Sequence, residues 1–315
     1  MGDIKSSKDF RTSIGGQALI EGVMMRGPRK QAIVVKTKDG FVNKTEELKL
    51  LKDKYPILGF VFIRGVVNFV NSMTIGVRAL MFSADHMPEE EIEDPSKLDL
   101  WMEKKLGSEK AEGVIITISV VLGIALSVGL FILLPTFLAG FVSSHIEQRI
   151  LMNLFEGLLR IIIFILYLWL TTRLKQMKRV WAFHGAEHKA IYCYEKGLPL
   201  TIENIRAQSK QHPRCGTSFL FIVMLVSILV FSVATWNNLW VRIGLRLLLL
   251  PVVVAISYEI IKLAGRYDNI VTKIVSAPGK ALQRLTTREP DDDMIETAME
   301  ALKLVIPEDL DEAKW

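Results

Sequence analysis

The most prominent feature of the hydropathy pattern is a long apolar run without a single charge, at residues 113–144 ("GVIITISVVLGIALSVGLFILLPTFLAGFVSS"). Roughly 20 apolar residues cross a bilayer as a helix, so this run predicts a membrane span. It is longer than a span needs, and Pro135, which lacks a backbone N–H, is the expected break point. Three further apolar runs predict spans at residues 154–172, 218–236 and 239–262. The chain is therefore expected to be a polytopic, mainly α-helical membrane protein with about four transmembrane helices.

A different periodicity precedes the spans. Within residues 13–54, β-branched runs flank Asp39 and Gly40, which is a hairpin signal. The stretch "GGQALIEGVMMRGP" at residues 15–28 is rich in glycine, which indicates turns or a close approach of the backbone to a ligand or partner. A plain glycine-rich loop between short strands is the alternative. This part of the chain is predicted to be a small strand-rich cytoplasmic unit.

Residues 55–82 are apolar, but their polar side chains fall on one helical face. They are Arg64, Asn68, Asn71 and Arg78. This pattern is typical of an amphipathic helix in the membrane interface. The alternative is a helix buried against the spans, with its polar stripe lining a cavity.

These patterns divide the chain into four segments. They are a strand-rich cytoplasmic unit at 1–54, an interfacial helix and charged connector at 55–112, a membrane domain at 113–266 with a cytoplasmic central loop at 173–217, and a cytoplasmic helical tail at 267–315. The tail contains a predicted amphipathic helix with one apolar face, formed by Met294, Ala298, Leu302 and Val305.

Charge sets the expected orientation. The 315-residue chain is 50% hydrophobic with a net charge of +5, and its Lys and Arg residues concentrate before the first span and in the central loop. The positive-inside rule then places both termini and the central loop in the cytoplasm of a multi-pass membrane protein. No cleavable signal peptide is expected, since the first 50 residues lack an apolar core. The positive charge follows from this topology, so the expected partner is the lipid bilayer and no nucleic acid is implied.

The candidate chemistry lies in "WAFHGAEHKAIYCYEKG", at residues 181–197. His184 and His188 are four residues apart and share a helical face, so they can bind one metal ion with Glu187 beside them. This H-x-x-E-H order is the inverse of the zincin motif, in which the glutamate is the general base. The alternative is that these histidines are polar residues capping the cytoplasmic end of the second span.

A third ligand could come from two places. His212 and Cys215 precede the third span in "QHPRCGTSF", and a thiolate would suit zinc. Glu259 lies near the end of the fourth span, where an acid needs a partner that a metal ion or Lys189 would supply. That need favours Glu259 as the third ligand, with His212 and Cys215 around it.

Arg214 and the two cysteines complete the candidate residues. Arg214 is expected to lower the pKa of Cys215 or to stabilise an oxyanion. Cys215 acting as a nucleophile with a histidine base is a weaker alternative, because no fixed spacing supports it. Cys193 and Cys215, in a cytoplasmic loop, should remain reduced.

Three motifs, "GGQALIEGVMMRGP", "FHGAEHKAIYCYEKGLPLTIENIRAQSKQHPRCGTSFLF" and "ISYEIIKLAGR", carry a resemblance over residues 15–266. The chain resembles the YqhQ-like family of uncharacterised bacterial membrane proteins, which are described as predicted metal-dependent enzymes. The resemblance implies a bacterial cell membrane location. It also implies that the family's motif positions include His184, Glu187, His188, His212, Cys215 and Glu259.

The expected function is a membrane-embedded hydrolase that cleaves an amide or ester bond at the cytoplasmic membrane face, with a divalent metal, zinc by preference, and with Glu187 as general base. The main alternative is a non-enzymatic membrane subunit that binds and regulates another membrane protein complex, with a structural metal or a polar cluster. A transporter that uses Arg160 and Arg246 is a third interpretation, but Glu156 lies one turn from Arg160 and can pair with it.

Overall fold

A computed structural model describes residues 10–48, 54–87, 104–105, 107–142, 148–233, 239–267 and 269–314. Most of the predicted charged connector lies outside these residues, and so do residues 143–144 of the first predicted span and residues 234–236 of the third. The α-helices are α1 (Ile63–Ala84), α2 (Ser108–Val128), α3 (Leu134–Gly140), α4 (Arg149–Thr171), α5 (Lys175–Glu195), α6 (Ile202–Arg206), α7 (Gly216–Val233), α8 (Leu239–Arg266), α9 (Ile270–Thr286) and α10 (Asp292–Val305).

The chain forms two compact units, whose boundaries fall inside α4, α7 and α8. Unit 1 comprises Met1–Met87, Tyr167–Ser227 and Leu249–Trp315. Unit 2 comprises Pro88–Leu166 and Ile228–Leu248. Unit 1 thus collects segments from the start, middle and end of the chain.

A four-stranded antiparallel sheet confirms the predicted strand-rich N-terminal unit. Its strands β1 (Gly15–Leu19), β2 (Gly22–Arg26), β3 (Lys30–Thr37) and β4 (Gly40–Glu47) pair in sequence order. The predicted hairpin joins β3 to β4, with Thr37 opposite Gly40. Gly40 has a φ of +127°, a conformation that favours glycine.

Alternation along β2 and β3 gives the sheet two apolar faces. On one face, Val23, Met25 and Val34 belong to the main core of unit 1, together with residues of α5 and α10. On the other face, Met24 and Ile33 belong to a smaller cluster with residues of α1. The sheet is therefore a central layer of unit 1.

The C-terminal helix α10 packs against β2, β3 and α5. Its predicted apolar face is buried in this core, at Met294, Ala298, Leu302 and Val305. Asp291 caps the helix, because its side chain accepts a hydrogen bond from the Met294 N–H at 2.9 Å. The predicted amphipathic helix is confirmed, and it holds α5 against the sheet.

Within the described residues, four helices are long and apolar enough to cross a membrane: Ile63–Ala84, Gly113–Gly140, Ile150–Thr171 and Trp240–Arg266. Three of them coincide with predicted spans, while the apolar part of α7 at Gly216–Ser232 is shorter. The first of the four is α1, which the sequence assigned to the membrane interface. Its polar stripe contacts α8, since the Asn68 side chain donates a hydrogen bond to the Tyr258 hydroxyl at 2.8 Å. This contact favours the alternative of a helix buried against the spans.

A π-helical turn at Gly129–Leu133 joins α2 to α3. Pro135 lies in the first turn of α3 and is buried. The predicted break at this proline therefore takes the form of a π turn that ends just before it. Such a turn leaves backbone carbonyls without their usual helical partners.

A buried ionic network occupies unit 2. Glu156 binds the guanidinium of Arg246 with both carboxylate oxygens, one at 2.8 Å, and accepts a hydrogen bond from the Thr136 hydroxyl at 2.6 Å. Arg160 lies farther from this carboxylate, at 3.6 Å, and its Nε donates to the Phe131 carbonyl in the π turn at 2.9 Å. The main partner of Glu156 is thus Arg246 rather than Arg160, the partner that helical spacing predicts.

Candidate metal centre

Helix α5 carries both predicted histidine ligands. Its residues from Ala182 to Ala190 are all buried, so the H-x-x-E-H segment lies inside unit 1 rather than on its surface. Gly185 allows this burial, because a Cβ there would clash with the backbone carbonyl of Arg288. The Arg288 N–H also donates to the Trp181 carbonyl at 2.8 Å. The chain after α9 therefore crosses directly over α5 at the motif.

Three ligand atoms converge at this point. The histidine nitrogens of His184 and His188 and the sulfur of Cys215 all lie within 4.8 Å of one another. The His184 Nε2 atom is 3.1 Å from the Cys215 sulfur. Ligands of a tetrahedral zinc ion lie roughly 3.5 Å apart, given Zn–N and Zn–S distances of about 2.0 to 2.3 Å. The spacing of the three donors suits such an ion.

Backbone carbonyls orient both imidazoles. His184 Nδ1 lies 2.8 Å from the Thr286 carbonyl, and His188 Nδ1 lies 2.6 Å from the Lys210 carbonyl. A carbonyl can only accept, so each Nδ1 carries a proton and each Nε2 is the nitrogen that can bind a metal, which on His184 requires the loss of a second proton. His188 Nε2 is buried without a hydrogen-bond partner among the described residues. A bound cation would satisfy it.

Glu187 lies in the same cluster. One of its carboxylate oxygens accepts a hydrogen bond from the backbone N–H of Gly16, while Oε2 is buried without a partner among the described residues. A buried oxygen left unsatisfied costs free energy unless a ligand, an ion or a water binds it. Two unsatisfied atoms in one cluster, His188 Nε2 and Glu187 Oε2, fit a bound cation with a water beside it.

The histidines control the ionisation of the cluster. Burial alone would raise the pKa of the Cys215 thiol, but His184 and His188 hold it well below its usual range. Burial alone would lower the pKa of His184, but Cys215, Glu187 and the Thr286 carbonyl raise it to about 9. The two histidines therefore favour the thiolate form of Cys215, the form of cysteine that binds divalent metals.

The cluster opens into a cleft of about 590 Å³ in unit 1. His184, Glu187 and Cys215 line the cleft, together with Trp181. Further lining residues come from β1, α1, α7 and α8, among them Gln17, Phe69, Met73, Phe219, Leu220 and Ile261. A small molecule in the cleft can therefore reach the ligand cluster.

His212 and Arg214 do not lie among the three ligands. His212 contacts a Glu195 oxygen at 3.3 Å, and burial lowers the pKa of His212 to about 4, which keeps it neutral. Its ring centre is 5.7 Å from that of His188. Arg214 forms an ion pair with Glu195 and also lines the cleft. Both residues thus form a shell around the ligands, as was expected for His212 if it were not a ligand itself.

Glu259, the residue that the sequence analysis favoured as third ligand, is elsewhere. Its carboxylate binds the guanidinium of Arg64 in α1, with an Nε to Oε1 distance of 2.7 Å. The acid does need a partner, but an arginine supplies it, so the expectation that Glu259 completes the metal site is corrected. Lys189, the other suggested partner, instead forms an ion pair with Glu289 at 2.9 Å. Cys215, rather than Glu259, lies with His184 and His188 in the candidate ligand cluster.

Three residues that contribute to the site were not predicted from the sequence to do so: Gly16, Lys210 and Thr286. Thr286 and Lys210 act through their backbone carbonyls, which leave no trace in residue type. Gly16 had a signal, because the glycine-rich stretch indicated a close backbone approach. The partner of that approach is Glu187: a Cβ on Gly16 would lie 2.9 Å from the Glu187 Cδ atom.

This contact predicts that Gly16→Ala destabilises unit 1. The added methyl would also lie 2.7 Å from the Met24 carbonyl oxygen, so it overpacks the site. Such overpacking costs about 1 to 3 kcal/mol. Gly15→Ala is the matched control, since nothing lies within 4 Å of its Cβ position. Chemical unfolding of the two variants measures the difference, and equal stabilities would contradict the contact.

The fold and the site together define a class: a mainly helical protein whose described part has four helices apolar enough for a membrane, an N-terminal antiparallel sheet and a buried His/His/Cys cluster. Residues 60–308 match the family model described as "Protein of unknown function (DUF1385)", and the chain belongs to this family. It is 33% identical over 292 residues to the "Uncharacterized protein YqhQ" of Bacillus subtilis (strain 168), covering 91% of this chain and 90% of the relative. The resemblance to the YqhQ-like family is thereby confirmed. No solved structure matches the chain.

Proposed function

We propose that this protein is a membrane-embedded, metal-dependent hydrolase that cleaves an amide or ester bond at the cytoplasmic membrane face. One observation carries the proposal. The donors His184 Nε2, His188 Nε2 and Cys215 Sγ converge beside an unpartnered Glu187 Oε2 at the wall of a cleft. Three protein ligands beside an accessible cleft are typical of a catalytic rather than a structural zinc site.

The membrane location rests on the long apolar helices α2–α3, α4 and α8, on the shorter apolar helix α7, and on the distribution of basic residues. These four cross the membrane in the proposed topology, and α1 packs beside them. Under the positive-inside rule, both termini and the segment between α4 and α7 face the cytoplasm. The site belongs to α5 and to the residue before α7, so it lies on that side. The proposed location is the bacterial cell membrane, as the relative comes from a bacterium.

His184, His188 and Cys215 would hold the ion, and a nitrogen and sulfur donor set favours zinc among abundant divalent metals. Such an ion, when bound, acts as a Lewis acid and makes a water molecule acidic enough to serve as a nucleophile near neutral pH. The Nδ1 bonds to the Thr286 and Lys210 carbonyls fix both imidazoles in the orientation that ligation needs.

Glu187 is the proposed general base. The Gly16 N–H holds one carboxylate oxygen and leaves Oε2 free to accept a proton from the attacking water. The Trp181 Nε1–H group is buried without a partner among the described residues and belongs to a side chain that lines the cleft. It is suited to donate a hydrogen bond to the substrate carbonyl as negative charge develops. Arg214, the donor that the sequence suggests for this role, instead has its guanidinium bound to Glu195.

The cleft indicates the kind of substrate. Phe69 and Met73 of α1 and Phe219 and Leu220 of α7 line it, and both helices are apolar. An apolar wall leading to a polar cluster fits an amphiphilic molecule whose scissile bond lies next to its hydrocarbon part. The proposed substrate is therefore an acyl ester or acyl amide that enters from the lipid phase.

Glu187→Gln tests the proposal. The variant should keep its metal, because a general base is not a ligand, and should lose hydrolysis of chromogenic acyl esters and acyl amides in detergent micelles by about 10² to 10⁴ fold. Glu203→Gln, an exposed glutamate in α6, is the matched control and should retain activity. Loss of the ion from Glu187→Gln would make Glu187 a fourth ligand of a closed structural site. That outcome would favour the non-enzymatic subunit.

A second candidate mechanism has one observation in its favour, the 3.1 Å contact between His184 Nε2 and the Cys215 sulfur. This contact also suits a cysteine nucleophile activated by a histidine. A chelator separates the two mechanisms. Chelator-treated protein that keeps its activity, and loses it on Cys215→Ala, would establish the cysteine mechanism. Activity that disappears on chelation and returns with zinc supports the metal mechanism.

A further inference from the structure

A second cavity in unit 1, of about 310 Å³, is distinct in character from the apolar cleft. Among the described residues that line it, five side chains are cationic and one is a carboxylate. The cations are Arg11, Lys196, Arg214, Lys273 and Lys280. This excess of positive charge around a concave space is the electrostatic signature of an anion site.

The single carboxylate is already engaged. Glu195 forms an ion pair with Arg214, accepts a hydrogen bond from the Thr12 N–H at 2.8 Å and contacts His212. These contacts lower the pKa of Glu195 despite its burial, so it is ionised and its charge is matched by Arg214. Among the described residues, the cavity is lined by four further cationic side chains and no further carboxylate.

An exposed apolar surface adjoins the cavity. Lys273 and Lys280 of α9 face the cavity, whereas Ile270 and Ile274 of the same helix are 71% and 65% exposed. Tyr267, which follows α8, lines the cavity and is itself 50% exposed. Helix α9 thus presents charge to the cavity and hydrocarbon to its outer side, as amphipathic helices at a membrane surface do.

We infer that this cavity binds the headgroup of an anionic phospholipid, with its phosphate among the cations and its acyl chains along the exposed side of α9. The exposed apolar residues Tyr267, Ile270 and Ile274 favour a lipid headgroup over a soluble phosphate, because a soluble phosphate has no hydrocarbon part that could pack against them. The cavity also lies beside the C-terminal end of α8, one of the four apolar helices. The end of a membrane-spanning helix is at the level of the lipid headgroups. The inference rests on the proposed membrane location and not on the proposed hydrolysis.

The test uses the full chain purified in a neutral detergent and mixed with equal amounts of phosphatidylglycerol and phosphatidylcholine. Native mass spectrometry at about 0.15 M salt, where exposed charges are well screened, measures the lipid bound. Wild type should retain phosphatidylglycerol selectively. Lys273→Gln combined with Lys280→Gln should weaken its binding roughly 25-fold, because each lysine near an anionic lipid contributes about fivefold.

Lys175→Gln combined with Lys178→Gln is the matched control. It removes the same charge from exposed positions at the start of α5 and should leave phosphatidylglycerol binding nearly unchanged. Equal losses in both double variants, or equal retention of both lipids by wild type, would overturn the inference. So would binding of soluble glycerol phosphate without binding of phosphatidylglycerol. Thermal unfolding of each variant checks its fold, and recovery in the membrane fraction scores the membrane location separately.

Discussion

Replacing His188 with alanine should abolish retention of the proposed divalent ion by the purified protein. Two ligands would remain, His184 and Cys215, and the Lys210 carbonyl would have no imidazole to orient. Affinity should fall by more than about 100-fold, since loss of a supporting shell residue alone costs 10 to 100-fold. His184→Ala and Cys215→Ser should have the same effect. Elemental analysis of protein reloaded with zinc and dialysed measures it.

The chain offers a matched control for each ligand type. His86 is bonded to the Phe82 carbonyl and lies outside the cluster, so His86→Ala should keep the ion. Cys193→Ser should keep it as well, because Cys193 is a buried thiol whose pKa burial raises to about 11. Equal metal content in wild type and the three ligand variants would end the metal hypothesis. An equal loss of metal from the two control variants would mean that the ligand substitutions act by disturbing the fold and not by removing ligands.

Replacing Glu156 with glutamine should strongly destabilise unit 2. Arg246 and Glu156 each expose only 2% of their side chains, and the substitution leaves the guanidinium charge buried without its carboxylate. Removal of one partner of a buried ion pair costs about 3 to 5 kcal/mol. Thermal unfolding in detergent should show a markedly lower midpoint.

Glu300→Gln is the comparison for this substitution. Glu300 pairs with Lys303 on the surface of α10, where the two side chains are 40% and 42% exposed. Such exposed pairs contribute about 0 to 1 kcal/mol, so the control should unfold like wild type. A Glu156→Gln variant as stable as the control would mean that the buried network adds nothing to the stability of unit 2.

Local patterns predicted the local structure well. Strand alternation and the Asp39-Gly40 turn predicted the hairpin between β3 and β4, and four-residue spacing placed His184 and His188 on one face of α5. These features depend on residues close together in the chain. Their geometry follows from the periods of the strand and the helix.

Long-range partners were harder to predict. Glu259 does need a partner, but Arg64 lies 195 residues earlier in the chain, and the sequence alone cannot rank an arginine at that separation above a metal ion. The polar stripe of α1 did offer a candidate partner for Glu259, because Arg64 is the first residue of that stripe. The soft sulfur of Cys215 suits zinc, which favoured this residue on chemical grounds. Its position before α7 places the sulfur beside His184. Pairing between distant helices decided which candidate became the third donor.

The contact between His184 and the Thr286 carbonyl also sets an order of events during protein synthesis. These residues are 102 positions apart, so the helix with both histidines leaves the ribosome well before the residue that orients the first of them. The donor sulfur of Cys215 emerges between them. The nascent chain therefore presents two histidines long before it can close the cluster around them, so the proposed ion would be acquired after translation, when α9 and α10 have folded back onto α5.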